Sequence, residues 1–363
     1  MNVSNSLVAV VGAGNGGHAM AADLVSRGHK IILYELPSFA AGLEGASRKG
    51  SIELLEGDGS TVSPVETSTD IKDVLARSEI VNVVVPSNGH DAFFTAMLPY
   101  LRPHHIVVIW AGRLGALRLA KLAKETGADA FSIIEATKLP YGTQLEGPGI
   151  VRVLFRAREL HVAHFPGDSS QRGRAELLDL YPEVRFRSHI VETFLRNSSL
   201  LVLPTATLVN AGCIERSGGD YYLFRDGVTE SVAELVGAVN KEFAAVGRAF
   251  GAEIPVYSQA TIRAMGSVES ATFTAAKPGY YAELRGPEQL RHRYLLENIP
   301  FGFVPVSELG AAAGVKTPVI DGLIAVSCAL LGSSLIDEAR TLSTLGLDGL
   351  SLDEITARIV HGR

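Results

Sequence analysis

Short apolar runs rich in β-branched residues alternate with helical stretches through the first half of the chain. The runs that predict strands cover residues 7–11, 31–34, 80–85, 106–109, 131–134 and 151–154. Brief apolar runs of this kind, separated by helices, are typical of a parallel sheet with crossover helices. We therefore predict an α/β fold, with residues 1–188 forming a doubly wound sheet of the Rossmann type.

From about residue 189 the pattern changes to a helical period. Residues 228–250 place apolar side chains at spacings of three and four, and Gly251 follows where a helix stop favours glycine. Thr317-Pro318 has the form of a cap followed by a first-turn proline, and it opens an apolar helix. Because this helix is apolar on all sides, we expect it to be buried in a domain core or a dimer interface. Residues 189–363 are predicted to form an all-helical domain.

Composition and charge narrow the class of ligand. The chain has 363 residues, which favours two domains, and a formal net charge of −6 with mixed signs. This charge argues against a nucleic-acid partner, which requires a basic face, and favours a small-molecule substrate. Cys213 and Cys328 are far apart and belong to no Cys or His cluster, so neither a disulfide framework nor a metal site is predicted. We expect a cytoplasmic protein without a signal peptide or a membrane segment.

A glycine motif follows the first predicted strand. Gly12, Gly14 and Gly17 have the GxGxxG spacing, directly before a helix predicted over 19–27. In this context the first glycine permits a tight turn, the second lets the backbone approach a pyrophosphate, and the third allows the helix to pack on the strand. Asn15 and Gly16 lie in the same turn. The motif therefore predicts a dinucleotide site at the helix N-terminus.

Glu35 identifies the favoured dinucleotide. It ends the second predicted strand, about 20 residues beyond the glycine motif, where an acidic side chain accepts hydrogen bonds from the adenosine ribose hydroxyls. The same carboxylate would repel a 2′-phosphate, so NAD is favoured over NADP. Arg48 and Lys49 would weaken that preference if they fold back towards the ribose.

Two further loops are predicted to line the cofactor crevice, because loops at the carboxyl ends of parallel strands do so in open α/β sheets. Pro86 ends one strand, and His90 follows it either as a contact on the nicotinamide side or as a cap of the next helix. Residues 135–142, which include Thr137 and Tyr141, follow another strand. Their polar groups suit the mouth of the crevice, and the alternative is a capped loop exposed to solvent.

Residues 197–215, 219–232 and 293–321 resemble the substrate domain of the octopine/nopaline dehydrogenase family. The glycine motif, residues 85–90 and residues 135–141 resemble the N-terminal domain of that family. The resemblance implies reductive condensation of an amino acid's amine with a 2-oxo acid, in which NAD(P)H delivers hydride to the imine carbon.

The resemblance also implies a catalytic histidine before a proline, and an aspartate in an Arg-Tyr-x-x-Glu-Asp motif. The matching positions here are Leu203, before Pro204, and Asn298, after Glu297, so both members of the dyad are replaced. Leucine cannot transfer a proton, and asparagine cannot stabilise an imidazolium by charge. The other positions that match the motifs are Asn197, Pro204, Asn210, Arg293, Tyr294 and Glu297.

The roles of the remaining positions follow from their chemistry. Arg293 suits a substrate carboxylate because a guanidinium offers a planar bidentate fork, although an ion pair with Glu297 four residues on explains it equally well. Thr137, Asn197 and Asn210 are taken as further substrate contacts. If a protein group replaces the histidine as proton donor, the candidates are Tyr141, His90 and Glu297, and a water molecule is the alternative.

The residues without the resemblance also allow a ketopantoate reductase-like or glycerol-3-phosphate dehydrogenase-like enzyme, since both join a Rossmann domain to a helical domain. Those enzymes use a lysine as acid, and Lys241 and Lys277 lie outside the family motifs. Loss of the dyad also suits a non-catalytic NAD-binding sensor or accessory protein. We favour an NAD(P)-dependent oxidoreductase with a divergent substrate, such as an already protonated imine, because the cofactor carries the hydride chemistry.

Overall fold

The computed structural model describes residues 7–169, 172–264, 273–275 and 283–362, and these form two compact units. The first unit extends to Ile190 and includes the short segment Phe273–Ala275 from the second half of the chain. The second unit comprises the described residues from Val191 onwards, apart from that segment.

The strands of the first unit form two sheets. In chain order they are β1 (Leu7–Val11), β2 (Lys30–Tyr34), β3 (Ser51–Glu56), β4 (Gly59–Pro64), β5 (Glu66–Ser68), β6 (Ser78–Val83), β7 (Ile106–Ile109), β8 (Ser132–Ala136), β9 (Tyr141–Gly147), β10 (Ile150–Ala157), β11 (Leu160–Phe165), β12 (Val184–Phe186) and β13 (Phe273–Ala275). The main sheet has the order β12-β11-β8-β7-β6-β1-β2-β5, and the second has the order β13-β10-β3-β4 with β9 also paired to β10. The main sheet is parallel except where β11 meets β8 antiparallel.

Five of the six predicted strands belong to the main sheet, as the alternating pattern indicated. The sixth, residues 151–154, lies in β10 of the second sheet, parallel to β3. The hairpin of β3 and β4 was not predicted, because β4 exposes most of its residues and carries little apolar pattern. A polar strand of this kind is stabilised by its pairing rather than by burial of its own side chains.

The helices of the first unit are α1 (Asn15–Ser26), α2 (Glu44–Lys49), α3 (Ile71–Arg77), α4 (His90–Met97), α5 (Gly115–Thr126) and α6 (Arg174–Leu180). Helix α1 begins at Asn15, four residues before the predicted start, and Gly14 precedes it with extended backbone angles. Val8 and Val10 of β1 and Met20 and Leu24 of α1 are fully buried in one apolar core. This packing fixes the glycine turn between a buried strand and a buried helix face.

Helices dominate the second unit, which confirms the predicted all-helical domain. They are α7 (Ile190–Leu195), α8 (Ser198–Val209), α9 (Ala211–Ser217), α10 (Glu230–Ala249), α11 (Gln259–Ala264), α12 (Arg293–Leu296), α13 (Val304–Ala312), α14 (Pro318–Leu331), α15 (Leu342–Leu345) and α16 (Leu352–His361). A π-helical turn, Ile299–Phe303, joins α12 to α13. Among the described residues no single helix is long and apolar enough to span a membrane, although α8 and α9, which meet at a 66° bend, reach that length together.

Candidate functional site

The turn between β1 and α1 is tightly packed at Gly12 and Gly17 but has free space beside Gly14. Gly12 has a φ of +105°, and a Cβ on Gly17 would lie 1.7 Å from the carbonyl oxygen of Gly12. Neither position therefore accommodates a side chain without a shift of the backbone. A Cβ on Gly14, in contrast, would meet no atom within 4 Å. The turn leaves open space next to Gly14, where the backbone N–H groups at the start of α1 attract an anion.

The segment after β8 covers the N-terminal turn of α1. A Cβ on Gly16 would lie 2.9 Å from Cδ1 of Leu139 and 2.9 Å from Cγ1 of Val84, so a glycine is required for this close approach. Asn15 donates from its side-chain amide to the carbonyl oxygen of Thr143 over 3.4 Å. The predicted crevice loop and the glycine turn therefore lie side by side within the first unit.

Glu35 connects the end of β2 to the glycine turn. Its carboxylate is 7% exposed and accepts hydrogen bonds from the backbone N–H of Ala13 at 2.7 Å and of Leu36 at 2.8 Å. Because each carboxylate oxygen has two lone pairs, both oxygens keep acceptor capacity for ribose hydroxyls. The open space at Gly14 and this carboxylate together fit the diphosphate and ribose of a dinucleotide.

A cavity of about 470 Å³ lies beside this turn, among His18 of α1, Glu44 and Arg48 of α2, and Glu146 of the β9–β10 hairpin. Burial lowers the pKa of His18 below its usual range, which favours a neutral imidazole there. Lys49 instead donates to the carbonyl oxygen of Pro148 over 3.1 Å. Arg48 is therefore the basic residue of this pair that lines the cavity.

A larger cavity in the first unit, of about 780 Å³, lies at the other edge of the main sheet. Its lining includes Leu7, Lys30 and Ser78, which are the first residues of β1, β2 and β6. Ligands of open parallel sheets bind at the carboxyl ends of the strands, so cavity size alone does not locate the cofactor site.

Pro86 and His90 follow β6, as predicted, but they have different surroundings. Pro86 accepts a hydrogen bond from the N–H of Gly89 at 2.9 Å, which forms a tight turn at the carboxyl edge of the sheet. His90 begins α4 and is fully buried, with its ring 5.0 Å from that of Phe94. A Cβ on Gly115 would lie 2.8 Å from its Nδ1. This packing between α4 and the start of α5 favours a structural role for His90.

Glu135 organises the loop after β7, a role that the sequence analysis did not assign. Its carboxylate is 1% exposed and accepts hydrogen bonds from the N–H groups of Leu114 and Ala116, each at 2.8 Å. The same loop holds Ala111, Arg113 and Leu114 at positive φ angles of 53°, 50° and 66°. Each such residue costs about 1–3 kcal/mol. The available signal was a glutamate inside an otherwise apolar strand, since a buried carboxylate requires donors.

Tyr141 lies in the core of the first unit. It is 2% exposed, and its hydroxyl is 3.2 Å from the hydroxyl of Tyr181. Burial raises the pKa of Tyr141 and also that of Tyr181 well above the usual value for a phenol. A fully buried phenol paired with a second phenol is better suited to packing than to proton donation.

Thr137 and Lys138 follow β8 directly. Thr137 is 5% exposed, and its N–H donates to the carbonyl oxygen of His161 at 2.9 Å. Burial lowers the pKa of Lys138 to about 8, while the negative charge of Glu159 acts in the opposite direction. Lys138 is not among the predicted site residues, although it is the only basic residue in the crevice segment 135–142.

The two asparagines of the second unit that were predicted to contact substrate lie at the two ends of α8. Asn197 precedes the helix and accepts a hydrogen bond from the N–H of Ser199 at 3.1 Å. Asn210 follows it and donates to the carbonyl oxygens of Ala206 at 2.8 Å and Gly227 at 3.0 Å. These contacts assign both side chains a role in folding the helix ends, beside any contact with substrate.

Leu203 and Asn298 occupy the positions of the expected dyad. Leu203 lies on α8, partly buried, one residue before the proline inside that helix. Asn298 is 2% exposed and donates from Nδ2 to the carbonyl oxygen of Tyr294 at 2.8 Å. Its Oδ1 is buried and accepts no hydrogen bond from any residue that the structure describes. Such an acceptor costs about 1–3 kcal/mol when it stays unsatisfied.

Arg293 forms the ion pair that the sequence allowed, with 3.3 Å between its Nη2 and Oε2 of Glu297. The side chain of Arg293 is 69% exposed, whereas that of Glu297 is 11% exposed. The pair therefore leaves most of the guanidinium accessible to a ligand. Of the two lysines considered, Lys241 is exposed on α10 and Lys277 lies outside the described residues. No group of three His, Cys, Asp or Glu side chains among the described residues is placed to hold a metal ion.

Two family models match separate parts of the chain. Residues 7–117 match the N-terminus of NAD-dependent glycerol-3-phosphate dehydrogenase. Residues 186–331 match the α-helical domain of NAD/NADP octopine/nopaline dehydrogenase. A relative named opine dehydrogenase, from Arthrobacter sp. (strain 1C), is 28% identical over 98% of this chain and 99% of its own length. The chain is therefore similar to the octopine/nopaline (opine) dehydrogenases along nearly its whole length.

Solved structures of opine dehydrogenases share the fold of this chain. An octopine dehydrogenase structure with NADH and L-arginine superposes with a TM-score of 0.75 at 20% identity, covering 99% of each chain. An NADP⁺-bound yersinopine dehydrogenase has a TM-score of 0.65 at 14% identity, covering 99% of this chain and 98% of its own. The protein is accordingly an NAD(P)-dependent, opine dehydrogenase-like oxidoreductase.

Proposed function

We propose that the protein reduces a preformed, already protonated imine related to the imine of an amino acid and a 2-oxo acid. The observation that carries this proposal is the replacement of the family dyad by Leu203 and Asn298. Reduction of a carbonyl group requires a proton at the developing oxyanion, which a positioned acid supplies. A protonated imine is already electrophilic at carbon, and hydride addition converts it to a neutral secondary amine without a further proton. This substrate therefore matches a site that lacks the histidine.

The residues of the first unit have separate tasks in this proposal. The backbone at Gly12, Gly14 and Gly17 and the first turn of α1 hold the diphosphate of the dinucleotide. Glu35 accepts from the adenosine ribose hydroxyls, and Pro86 shapes the edge of the sheet. The bound dinucleotide supplies the hydride, and the protein supplies placement and exclusion of water.

In the second unit Arg293 binds a substrate carboxylate through its exposed guanidinium, and Glu297 orients the guanidinium. Leu203 packs against an apolar part of the substrate. The Oδ1 of Asn298 accepts a hydrogen bond from a substrate N–H group, which would satisfy the acceptor that the described residues leave unpaired. An amide is neutral, so it stabilises an N–H donor without the charge of the family aspartate.

We propose a preference for NADH over NADPH. The support is Glu35, which is buried at the end of β2 and would repel a 2′-phosphate. Lys49 is engaged with the carbonyl oxygen of Pro148, so Arg48 is the residue in position to offset this repulsion. We also propose a cytoplasmic location, consistent with the free Cys213 and Cys328, and a homodimer.

Substrate-dependent oxidation of NADH tests the proposal. Preformed cyclic imines and mixtures of amino acids with 2-oxo acids are compared with 2-oxo acids alone, and the products are identified by mass spectrometry. We expect turnover with preformed imines and at least about 100-fold less with the mixtures and with 2-oxo acids alone, because formation of the imine and reduction of a carbonyl group both need a positioned acid that the site lacks. NADH binding without turnover of any compound would contradict the proposal and favour a non-catalytic NAD sensor.

A further inference from the structure

Phe39 presents an aromatic side chain to solvent in the first unit. Among the phenylalanines whose burial the structure describes, it alone is exposed, with 60% of its surface accessible. A single exposed apolar side chain is ordinary on a protein surface, so this exposure by itself indicates no function. The position of the residue is informative, because Phe39 lies four residues after Glu35, in the segment that leaves the carboxyl end of β2.

The segment that carries Phe39 folds back against the glycine turn. It is a 3₁₀ helix, Pro37–Leu43, and Phe39 interrupts its helical angles with a φ of −119° and a ψ of 19°. A Cβ on Gly42 would lie 3.5 Å from the carbonyl oxygen of Ala13 and 4.0 Å from Oε2 of Glu35. The segment therefore lies directly beside the carboxylate that is proposed to bind the adenosine ribose.

Both ends of this segment are fixed. At its start, the N–H of Leu36 donates to Oε1 of Glu35 at 2.8 Å, and the N–H of Phe39 donates to the carbonyl oxygen of Leu36 at 2.8 Å. At its end, Leu43 is 4% exposed and belongs to the apolar core. The backbone at Phe39 is therefore held between two anchored points, and its side chain lies on the outer surface between them.

The ribose contact of Glu35 determines which part of a dinucleotide lies near this segment. The adenine base is attached to the carbon next to the one that carries the ribose 2′-hydroxyl. A base whose ribose hydroxyls bind Glu35 therefore lies within one side chain's length of the carboxylate. Purine bases stack favourably on aromatic side chains through their π-faces. The other exposed residues of the segment are small and have no aromatic ring, namely Pro37, Ser38, Ala40, Ala41 and Gly42.

We propose that Phe39 stacks on the adenine ring of the bound dinucleotide and strengthens binding of the adenosine half. This inference rests on the proposed ribose contact of Glu35 and does not depend on the proposed reaction. The adenine base is common to NADH and NADPH, so the contact strengthens the binding of both. The proposed preference between them rests instead on Glu35 and Arg48.

Calorimetric titration of the full chain with ADP-ribose tests the contact, since this probe has the adenosine half but no nicotinamide. We expect Phe39→Ala to raise the dissociation constant about 10-fold, equivalent to about 1.4 kcal/mol, at an unchanged melting temperature. Phe39→Tyr keeps an aromatic ring and should stay within about two-fold of the unmodified protein. Val62→Ala, at a valine of β4 that is 65% exposed, is the matched surface control and should leave the affinity unchanged.

Phe39→Trp gives an optical readout of the same contact. The chain has one tryptophan, Trp110, which is 1% exposed, so the new indole adds emission from an exposed position. Saturation with ADP-ribose should quench this added emission, because the base stacks on the indole.

Unchanged ADP-ribose affinity in Phe39→Ala would overturn the proposal. A loss that Phe39→Tyr shares, or bound ADP-ribose without quenching in Phe39→Trp, would overturn it as well. If Phe39→Ala loses ADP-ribose affinity as expected while the unmodified protein reduces no imine, the adenine contact stands and the proposed reaction alone is refuted.

Discussion

Buried polar groups differ in their hydrogen-bond partners between two regions of the molecule. One region is the glycine turn of the first unit, and the other is the region of α8 and α12 in the second unit. At the turn, the Glu35 carboxylate accepts two backbone N–H groups and the glycines permit contacts that no side chain would allow. In the second unit, the buried Oδ1 of Asn298 lacks a hydrogen-bond donor among the described residues. The buried carboxylate at the turn is thus paired by the backbone around it, whereas the region of α8 and α12 retains a buried acceptor without a donor. The contrast supports the proposal that cofactor binding is kept while substrate binding has diverged.

Replacing Gly17 should produce the largest loss. The added Cβ in Gly17→Ala would lie 1.7 Å from the Gly12 carbonyl oxygen, so the turn must open. We expect the free energy of unfolding to fall by about 3 kcal/mol. NADH affinity should fall by about 100-fold, as measured by fluorescence titration. Gly14→Ala is the control, since its Cβ meets no protein atom and should weaken NADH binding at an unchanged melting temperature. Equal loss of melting temperature in both variants would contradict the geometry of the turn.

Restoring the family dyad tests the other side of the comparison. Leu203→His combined with Asn298→Asp supplies a proton donor and a carboxylate to orient it. We expect reductive condensation of pyruvate with amino acids to rise about 100-fold, and turnover of the native imine to fall. Each single variant should gain less than the pair, since the two groups act together. Efficient condensation by the unmodified protein, at about 10 s⁻¹, would show that another residue already supplies the proton.

The fold was largely predictable because its signals are local. The glycine motif, the apolar strands and the three-four spacing of α10 each follow from nearby residues and were found near their predicted positions, although the strand at 151–154 belongs to the second sheet. The β3–β4 hairpin was not predicted because it is stabilised by strand pairing rather than by an apolar pattern in its sequence. The burial of Tyr141 and His90 was not predicted because both residue types also suit an active site. Their partners Tyr181 and Phe94 are recognisable as such only in three dimensions.

Burial lowers the pKa of Lys138 in the first unit, and its titration should be visible in the pH dependence of stability. Its pKa is about 8 in the fold against 10.5 when exposed, so the folded state binds fewer protons between these values. The free energy of unfolding should therefore gain a contribution as pH rises from about 8 to 10.5. Lys138→Met should be the more stable protein at pH 7, by up to about 3 kcal/mol, and lose this advantage through that window. Chemical denaturation across pH measures both proteins, and Lys241→Met, at an exposed lysine of α10, is the matched control.

Glu35→Ala tests whether Glu35 sets the preference for NADH over NADPH. It removes the acceptor of the Ala13 and Leu36 N–H groups and the charge near the ribose. We expect NADH affinity to fall about 10-fold, equivalent to about 1.4 kcal/mol, and NADPH affinity to change less. The ratio of the two dissociation constants is the measurement. Arg48→Ala should instead widen the preference for NADH. An unchanged ratio in both variants would show that neither residue sets the cofactor preference.

Tyr141→Phe should have the smallest effect, and it decides whether the first unit contributes the proton donor. The substitution removes one hydroxyl that lies 3.2 Å from the Tyr181 hydroxyl, inside the core. Loss of this hydrogen bond should lower the free energy of unfolding by about 1 kcal/mol. Because Tyr141 is 2% exposed and its pKa is raised by burial, kcat should stay within about two-fold of the unmodified value. Tyr181→Phe removes the same contact from the other side and should match it in stability and rate. A fall of about 100-fold in kcat for Tyr141→Phe alone, with no change for Tyr181→Phe, would instead place the acid in the first unit. The replacement of the dyad would then no longer support a substrate that is reduced without a proton donor.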